Sequence, residues 1–253
     1  MCAHIYPKSV KRRLNEFFKG LFMTDLGLQY LFHYSLYSFN IMNISRFEVN
    51  PFGEVTYILW DETSRQACIV DPGMMRDDER DMIENFLASH HLTLQFVLLS
   101  HIHIDHVTSA QWMADRHHVK IYASPDDAFL ASSLQFQAQM FNLKIALPNL
   151  KTEPLTDGDE ITLAGEKIQV IATPGHTPGC LSFYLPESGI LVSGDTLFEG
   201  SVGRTDLPGG NFDQLITGIK ERLLTLPGET VVAPGHGHTT TIENERLYNP
   251  FLA

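Results

Sequence analysis

A chain of 253 residues that is 43% hydrophobic and 19% charged can bury a full core, and its composition excludes global disorder. Its formal net charge of −12 speaks against a general binder of nucleic acid or of membrane surfaces, and no apolar stretch reaches bilayer length. Cys2, Cys68 and Cys180 are scattered without Cys-x-x-Cys spacing, which predicts reduced thiols in a cytoplasmic protein and not a disulfide framework.

At the N-terminus, Lys8, Lys11, Arg12 and Arg13 precede an apolar stretch from Leu26 to Phe39. Gln29, His33 and Tyr34 interrupt that stretch and no Ala-x-Ala cleavage site follows, so it is not read as a secretion signal. Strand patterning begins only after Met42. Residues 1–41 are therefore expected to be an extension outside the fold, and residues 42–253 the domain.

Val55–Trp60 and Ala67–Val70 are β-rich runs around a polar turn, a hairpin pattern, and the second ends in Asp71-Pro72-Gly73. Arg76 to His91 places Met82, Ile83, Phe86 and Leu87 at helical spacing behind an acidic first turn. Phe96–Ser100 reads as a buried strand and about Thr108 to His117 as a helix. Lys120–Ser124 is an expected strand and Pro125–Met140 largely helical. Strand pairs follow at Glu160–Leu163 with Lys167–Ile171, and at Cys180–Leu185 with Gly189–Ser193. An amphipathic helix over Phe212–Leu224 and a strand over Thr230–Ala233 complete the pattern. Strands and helices interleave without regular βαβ alternation, so the fold class is α+β, two sheets sandwiched between helices.

Ser100-His101-Ile102-His103-Ile104-Asp105-His106 leaves an apolar strand and enters a helix. Histidines two apart on extended backbone point the same way, and Asp105 and His106 sit where the chain turns. Imidazole and carboxylate suit borderline metals such as zinc, iron or manganese. Three later segments each put one ligand type just past a strand, between Gly or Pro residues that fix a tight turn: Pro174-Gly175-His176, Gly194-Asp195 and Pro234-Gly235-His236. His4, His33, His90, His91, His117 and His118 lie in the extension or near helix ends and are read as ordinary solvated side chains. Cys180, which starts a strand, is read as an inert core thiol.

His-x-His-x-Asp-His followed by Pro-Gly-His, Gly-Asp and a final Gly-His resembles the signature of the metallo-β-lactamase superfamily over residues 44–253. The resemblance implies a four-layer αββα sandwich. It implies that His101, His103 and His176 bind one divalent metal, that Asp105, His106 and His236 bind a second, and that Asp195 bridges them. Asp71 matches a family aspartate that supports the ligands from behind. Gly194-Asp195-Thr196-Leu197-Phe198, Gly203-Arg204-Thr205-Asp206 and Glu245-Arg246-Leu247-Tyr248-Asn249-Pro250 look most similar to short bacterial glyoxalase II-like thioesterases. That resemblance implies two metals, zinc by default with iron or manganese as alternatives, and a small-molecule thioester substrate such as S-lactoylglutathione. It also implies that Asp105 orients a metal-bound hydroxide and takes up its proton, and that Arg204 faces the substrate's carboxylate. An ion pair with Asp206 is the competing role for Arg204. The helical C-terminal domain by which longer glyoxalase II enzymes hold glutathione is not matched here. Iron-dependent persulfide dioxygenases resemble the same segments and remain an alternative, with His101, His176 and Asp195 as their ligand set.

Overall fold

Strict alternation along short strands lets each sheet bury both faces, and this decides the layering. A computed structural model describes residues 41–253. Six strands form the first sheet in sequential order: β1 Asn43–Val49, β2 Glu54–Trp60, β3 Gln66–Val70, β4 Thr93–Leu98, β5 Lys120–Ala123 and β6 Thr152–Pro154. The first three pair antiparallel and the later ones parallel. The second sheet contains β7 Glu160–Leu163, β8 Glu166–Ala172, β9 Leu181–Leu185, β10 Ile190–Gly194, β13 Val231–Pro234 and β14 Thr240–Thr241, in the order β14-β13-β10-β9-β8-β7. A short ribbon, β11 Leu197–Phe198 with β12 Ser201–Val202, follows β10.

Val55, Tyr57 and Leu59 of β2 meet Leu181, Phe183 and Leu185 of β9 in the core between the sheets. The alternate residues Ile58 and Trp60 face the other way, into a core shared with the helices of the first half. Those helices are α1 Asp77–Ser89, α2 Ile104–Val107, α3 Ala110–His117, α4 Ala128–Ser132 and α5 Leu134–Met140. Leu191 of β10 and Val232 of β13 likewise turn outward, onto α6 Phe212–Gly218, a π-helical turn at Ile219–Leu223, and α7 Ile242–Tyr248. The three apolar layers are those of an αββα sandwich, as expected.

The hairpin at β2 and β3 and the helix after Asp71-Pro72-Gly73 stand where the pattern put them. Two differences matter most for the site and the outer layer. The strand expected through Ser100 ends at Leu98, and Asp105 and His106 lie inside a one-turn helix of their own. The helix expected over Phe212–Leu224 changes to π geometry from Ile219 onward. Cys68 and Cys180 are free and buried, and burial raises both thiols, that of Cys180 to about 12. No helix among the described residues is long and apolar enough to cross a membrane. The expected extension at residues 1–41 lies, apart from its last residue, outside the described residues.

Candidate metal centre

The predicted ligands come from the segments that follow strands. His101 and His103 follow β4, His103 in extended backbone at φ −81° and ψ 152°, where it caps α2. The one-turn helix then carries Asp105 and His106 on consecutive positions. His176 follows β8, Asp195 follows β10 and His236 follows β13. Gly235 must be glycine, because a Cβ there would run into Asp195 Oδ1 and lie 2.8 Å from His106 Cε1.

Three clusters of ligand atoms result, each with its members within 4.8 Å of one another: His101, His103 and His176; Asp71, His101 and His106; and Asp105, His106 and His236. Asp195 lies between them. Its Oδ1 is 3.5 Å from His106 Nε2, and its Oδ2 is 3.6 Å from both His176 Nε2 and His236 Nε2. Asp105 Oδ2 stands 3.4 Å from His236 Nε2 and 3.7 Å from His106 Nε2.

The outer nitrogens of three rings are held by protein groups. His101 Nδ1 meets Ser100 Oγ at 3.0 Å, His106 Nδ1 meets Asp71 Oδ2 at 3.2 Å, and His176 Nδ1 meets the Arg204 carbonyl at 2.7 Å. Each leaves its Nε2 facing the cluster, the arrangement that fixes an imidazole as a ligand. His103 points its Nδ1 inward, 2.9 Å from His176 Nε2. His101 Nε2, His106 Nε2 and Asp195 Oδ1 are buried without any hydrogen-bond partner. Orphaned buried polar atoms destabilise a fold unless something takes them up, and three converging lone-pair donors fit a divalent cation.

Burial, reinforced by neighbouring imidazoles, lowers the proton affinity of His101 well below the usual histidine range and that of His103 to about 3. Burial acts the same way on His106, but Asp195 and Asp105 outweigh it and raise His106 well above that range. His236 is also raised, since its bond to Asp105 and the charge of Asp195 overcome burial. Burial would raise the carboxyls of Asp105 and Asp195, yet His106 and its neighbours hold both low. The two aspartates therefore stay ionised, as ligands must.

Several supporting groups had no signal in the sequence. Glu54 is fully buried, with Oε1 3.9 Å from His106 Nδ1, and burial pushes its carboxyl well above the usual range. Asn50 Nδ2 donates to the carbonyls of Gly73 and Asp105, each at 2.9 Å. Asp127 accepts from Ile102 N–H at 3.1 Å, Thr177 Oγ1 at 2.9 Å and Gly179 N–H at 2.7 Å, tying the first histidine loop to the loop of His176. These contacts cross 23 to 55 residues of chain, so no local motif could have announced them.

The model of the metallo-beta-lactamase superfamily matches residues 49–236, which include every ligand. The chain belongs to that superfamily. It is 36% identical over 215 residues to "Hydroxyacylglutathione hydrolase GloC" of Haemophilus influenzae, covering 83% of this chain and 98% of the relative. Among solved structures it is similar to "BLEG-1 B3 metallo-beta-lactamase", with a TM-score of 0.76, 32% identity, and 83% of this chain and 99% of the other covered. It is also similar to TTHA1623, solved "in a di-iron-bound form", with a TM-score of 0.72, 36% identity, and coverage of 82% and 99%. Members of the superfamily bind divalent metals, and the convergent clusters here can hold them.

A cavity of about 480 Å³ opens onto the superfamily motif and is lined by His103, Asp105, His176, Asp195 and His236. Arg204 also lines it, but its guanidinium is engaged by Asp206 through two 2.7 Å bonds, the competing role anticipated for it. The backbone of Arg204 matters too, since its carbonyl orients His176. Of the histidines read as ordinary, His117 pairs with Glu84 at 2.8 Å and His90 packs 4.2 Å from the Phe86 ring.

Proposed function

We propose that the chain is a metal-dependent hydrolase of small acyl thioesters such as S-lactoylglutathione. His101, His103 and His176 would hold one divalent ion, Asp105, His106 and His236 a second, with Asp195 shared between them. Zinc is the default occupant, with iron or manganese as alternatives for this mixed imidazole and carboxylate set. When bound, such ions supply Lewis acidity and make a nucleophilic water available at neutral pH.

The observation that carries the reading is the pocket's inventory. Among the described residues that line it there is no Tyr, Lys, Glu or Cys to serve as a proton donor for a leaving group, and its three histidines, His103, His176 and His236, would be taken up as metal ligands. Its two aspartates are held ionised by the surrounding imidazoles. A thiolate, with a reference pKa near 8.5, can depart without obligatory protonation, whereas an amide or alkoxide cannot. Asp105 Oδ2, anchored through Asn50 at its own backbone and aimed between His106 and His236, is the proton acceptor of the scheme. The hydroxyacylglutathione hydrolase named among the relatives supports the same reaction class.

Oxidation of a persulfide on a single iron would use two histidines and one carboxylate with open positions, and makes no use of a further cluster. The close approach of Asp105, His106 and His236 favours hydrolysis over that reading. The test is thiol release from a panel of acyl-glutathione thioesters by the metal-loaded full chain and by Asp105→Ala. Release by the parent with a loss of about 10²–10⁴-fold in the variant is the expected result. No release from any thioester would refute the proposal.

A further inference from the structure

Away from the ligands, the cavity is walled by hydrocarbon: Phe52, Phe129, Phe136, Met140, Phe141 and Phe198. Phe129, Phe136, Met140 and Phe141 remain 42%, 58%, 47% and 37% exposed. Phe136 and Met140, four residues apart, share one face of α5. The opposite side of that helix is already committed, since Leu134 and Ala138 are buried in the first-half core. So α5 is apolar on two sides, and the second side stays largely exposed among the described residues. A contiguous exposed apolar patch bordering a reactive centre is the mark of a binding surface.

The wall is fixed relative to the metal loop. Gln137, on the buried side of α5, accepts from Ile104 N–H at 2.9 Å, one residue before Asp105, and donates to the Leu130 carbonyl at 3.1 Å. Phe141 packs edge-on against Phe52 with ring centres 5.2 Å apart, and Phe129 lies against Gly209 of the loop that carries Arg204. Hydrocarbon wall and ligand cluster are therefore parts of one rigid pocket. Its charge points the same way. Arg204 is the one arginine or lysine of the described lining, and Asp206 already clamps it. An alkyl or phenyl group on the substrate would be desolvated along such a wall.

Resting on the thioester hydrolase reading above, we infer that the preferred substrate carries a hydrocarbon arm of several methylenes or a phenyl ring, seated against Phe136, Met140 and Phe141. Either side of the thioester can supply that arm, the acyl group or the thiol. Two series separate them on the metal-loaded full chain: acetyl, butanoyl, hexanoyl and octanoyl esters of N-acetylcysteamine, and acetyl esters of thiols with lengthening alkyl groups. The series that supplies the arm should show kcat/KM rising about two- to four-fold per methylene until the wall is covered. Phe136→Ser and Met140→Ser, both at exposed positions, should flatten that slope chiefly through KM. A third measurement needs no turnover: titration with S-hexyl-N-acetylcysteamine, an uncleavable thioether, should bind more tightly than its S-methyl counterpart. Thiol release with flat profiles in both series, and no preference for the hexyl thioether, overturns the inference and leaves the hydrolase reading standing. Preference for the hexyl thioether without thiol release from any ester keeps the apolar pocket and overturns the hydrolase reading. Self-association of the chain that is abolished by Phe136→Ser, with no thioether preference, assigns the face to a second copy and likewise overturns the inference.

Discussion

Asp71 and His106 are joined at 3.2 Å, carboxylate Oδ2 to ring Nδ1, and Asp71 is itself pinned by the Ser100 amide at 2.7 Å and hydroxyl at 2.6 Å. The contact keeps His106 Nε2 turned into the ligand cluster. Asp71→Ala should weaken metal binding about 10–100-fold, the usual cost of losing a partner behind a ligand. It should also destabilise the metal-free protein by about 1–3 kcal/mol, because the buried Ser100 amide loses its acceptor. Competition with a chelator reads the first effect and urea denaturation the second. Unchanged affinity would show that His106 is oriented by something else.

The two halves of the ligand set differ in protonation before any metal arrives. His101 and His103 are held low by burial and are neutral across physiological pH. His106 and His236 are raised by their carboxylate neighbours and retain protons higher on the scale. A cation bound by His106 and His236 must displace those protons, so its affinity should increase as pH rises over roughly pH 5–8. Binding through His101 and His103 should release none. Stepwise addition of zinc to metal-free protein in an indicator-dye solution should show less proton release at one equivalence point than at the other. Equal release at both steps would contradict the assignment.

Asp127 crosslinks the two ligand loops, and it does so with no exposure to solvent. Removing it leaves the amides of Ile102 and Gly179 without acceptors. Asp127→Ala should cost about 2–4 kcal/mol in urea denaturation, with loss of metal following from the loosened loops. A variant as stable as the parent would mean that the loops do not depend on this carboxylate.

Gly235→Ala tests the packing between strand ends. The added methyl group meets Asp195 Oδ1 and His106 Cε1, so these two side chains must shift. The expected outcome is a folded protein, by circular dichroism, that no longer retains metal at the cluster of Asp105, His106 and His236. Full metal content by elemental analysis would contradict this geometry.

The candidate ligands were legible in the sequence because they sit in compact local signals: a run of three His and one Asp just after a strand at His101–His106, and single His or Asp residues after a strand and a Gly or Pro at His176, Asp195 and His236. The layering was legible because β2 and β9 carry apolar residues on both faces, as strands buried on both sides do. What escaped was long-range. Nothing near Glu54 in sequence reveals that it will be sealed beneath His106, and nothing near Gln137 reveals that it will receive the amide of Ile104. The strands β1 and β6 and the helix α7 were not singled out either, since they are short or take their register from partners: β1 pairs along its whole length with β2, and α7 packs on the outer face of the second sheet. Arg204 shows the limit at a single residue, where the same motif is compatible with a substrate contact and with the ion pair to Asp206 that it makes.

The most direct test of the central claim is a paired assay on one metal-loaded preparation of the full chain, thiol release from thioesters beside oxygen uptake with glutathione persulfide, repeated on Asp105→Ala. The account predicts thiol release, a loss of about 10²–10⁴-fold in the variant, and no oxygen uptake by either protein. Oxygen uptake that survives Asp105→Ala, with no thiol released from any thioester, would contradict it and place the chain among the dioxygenases of this fold.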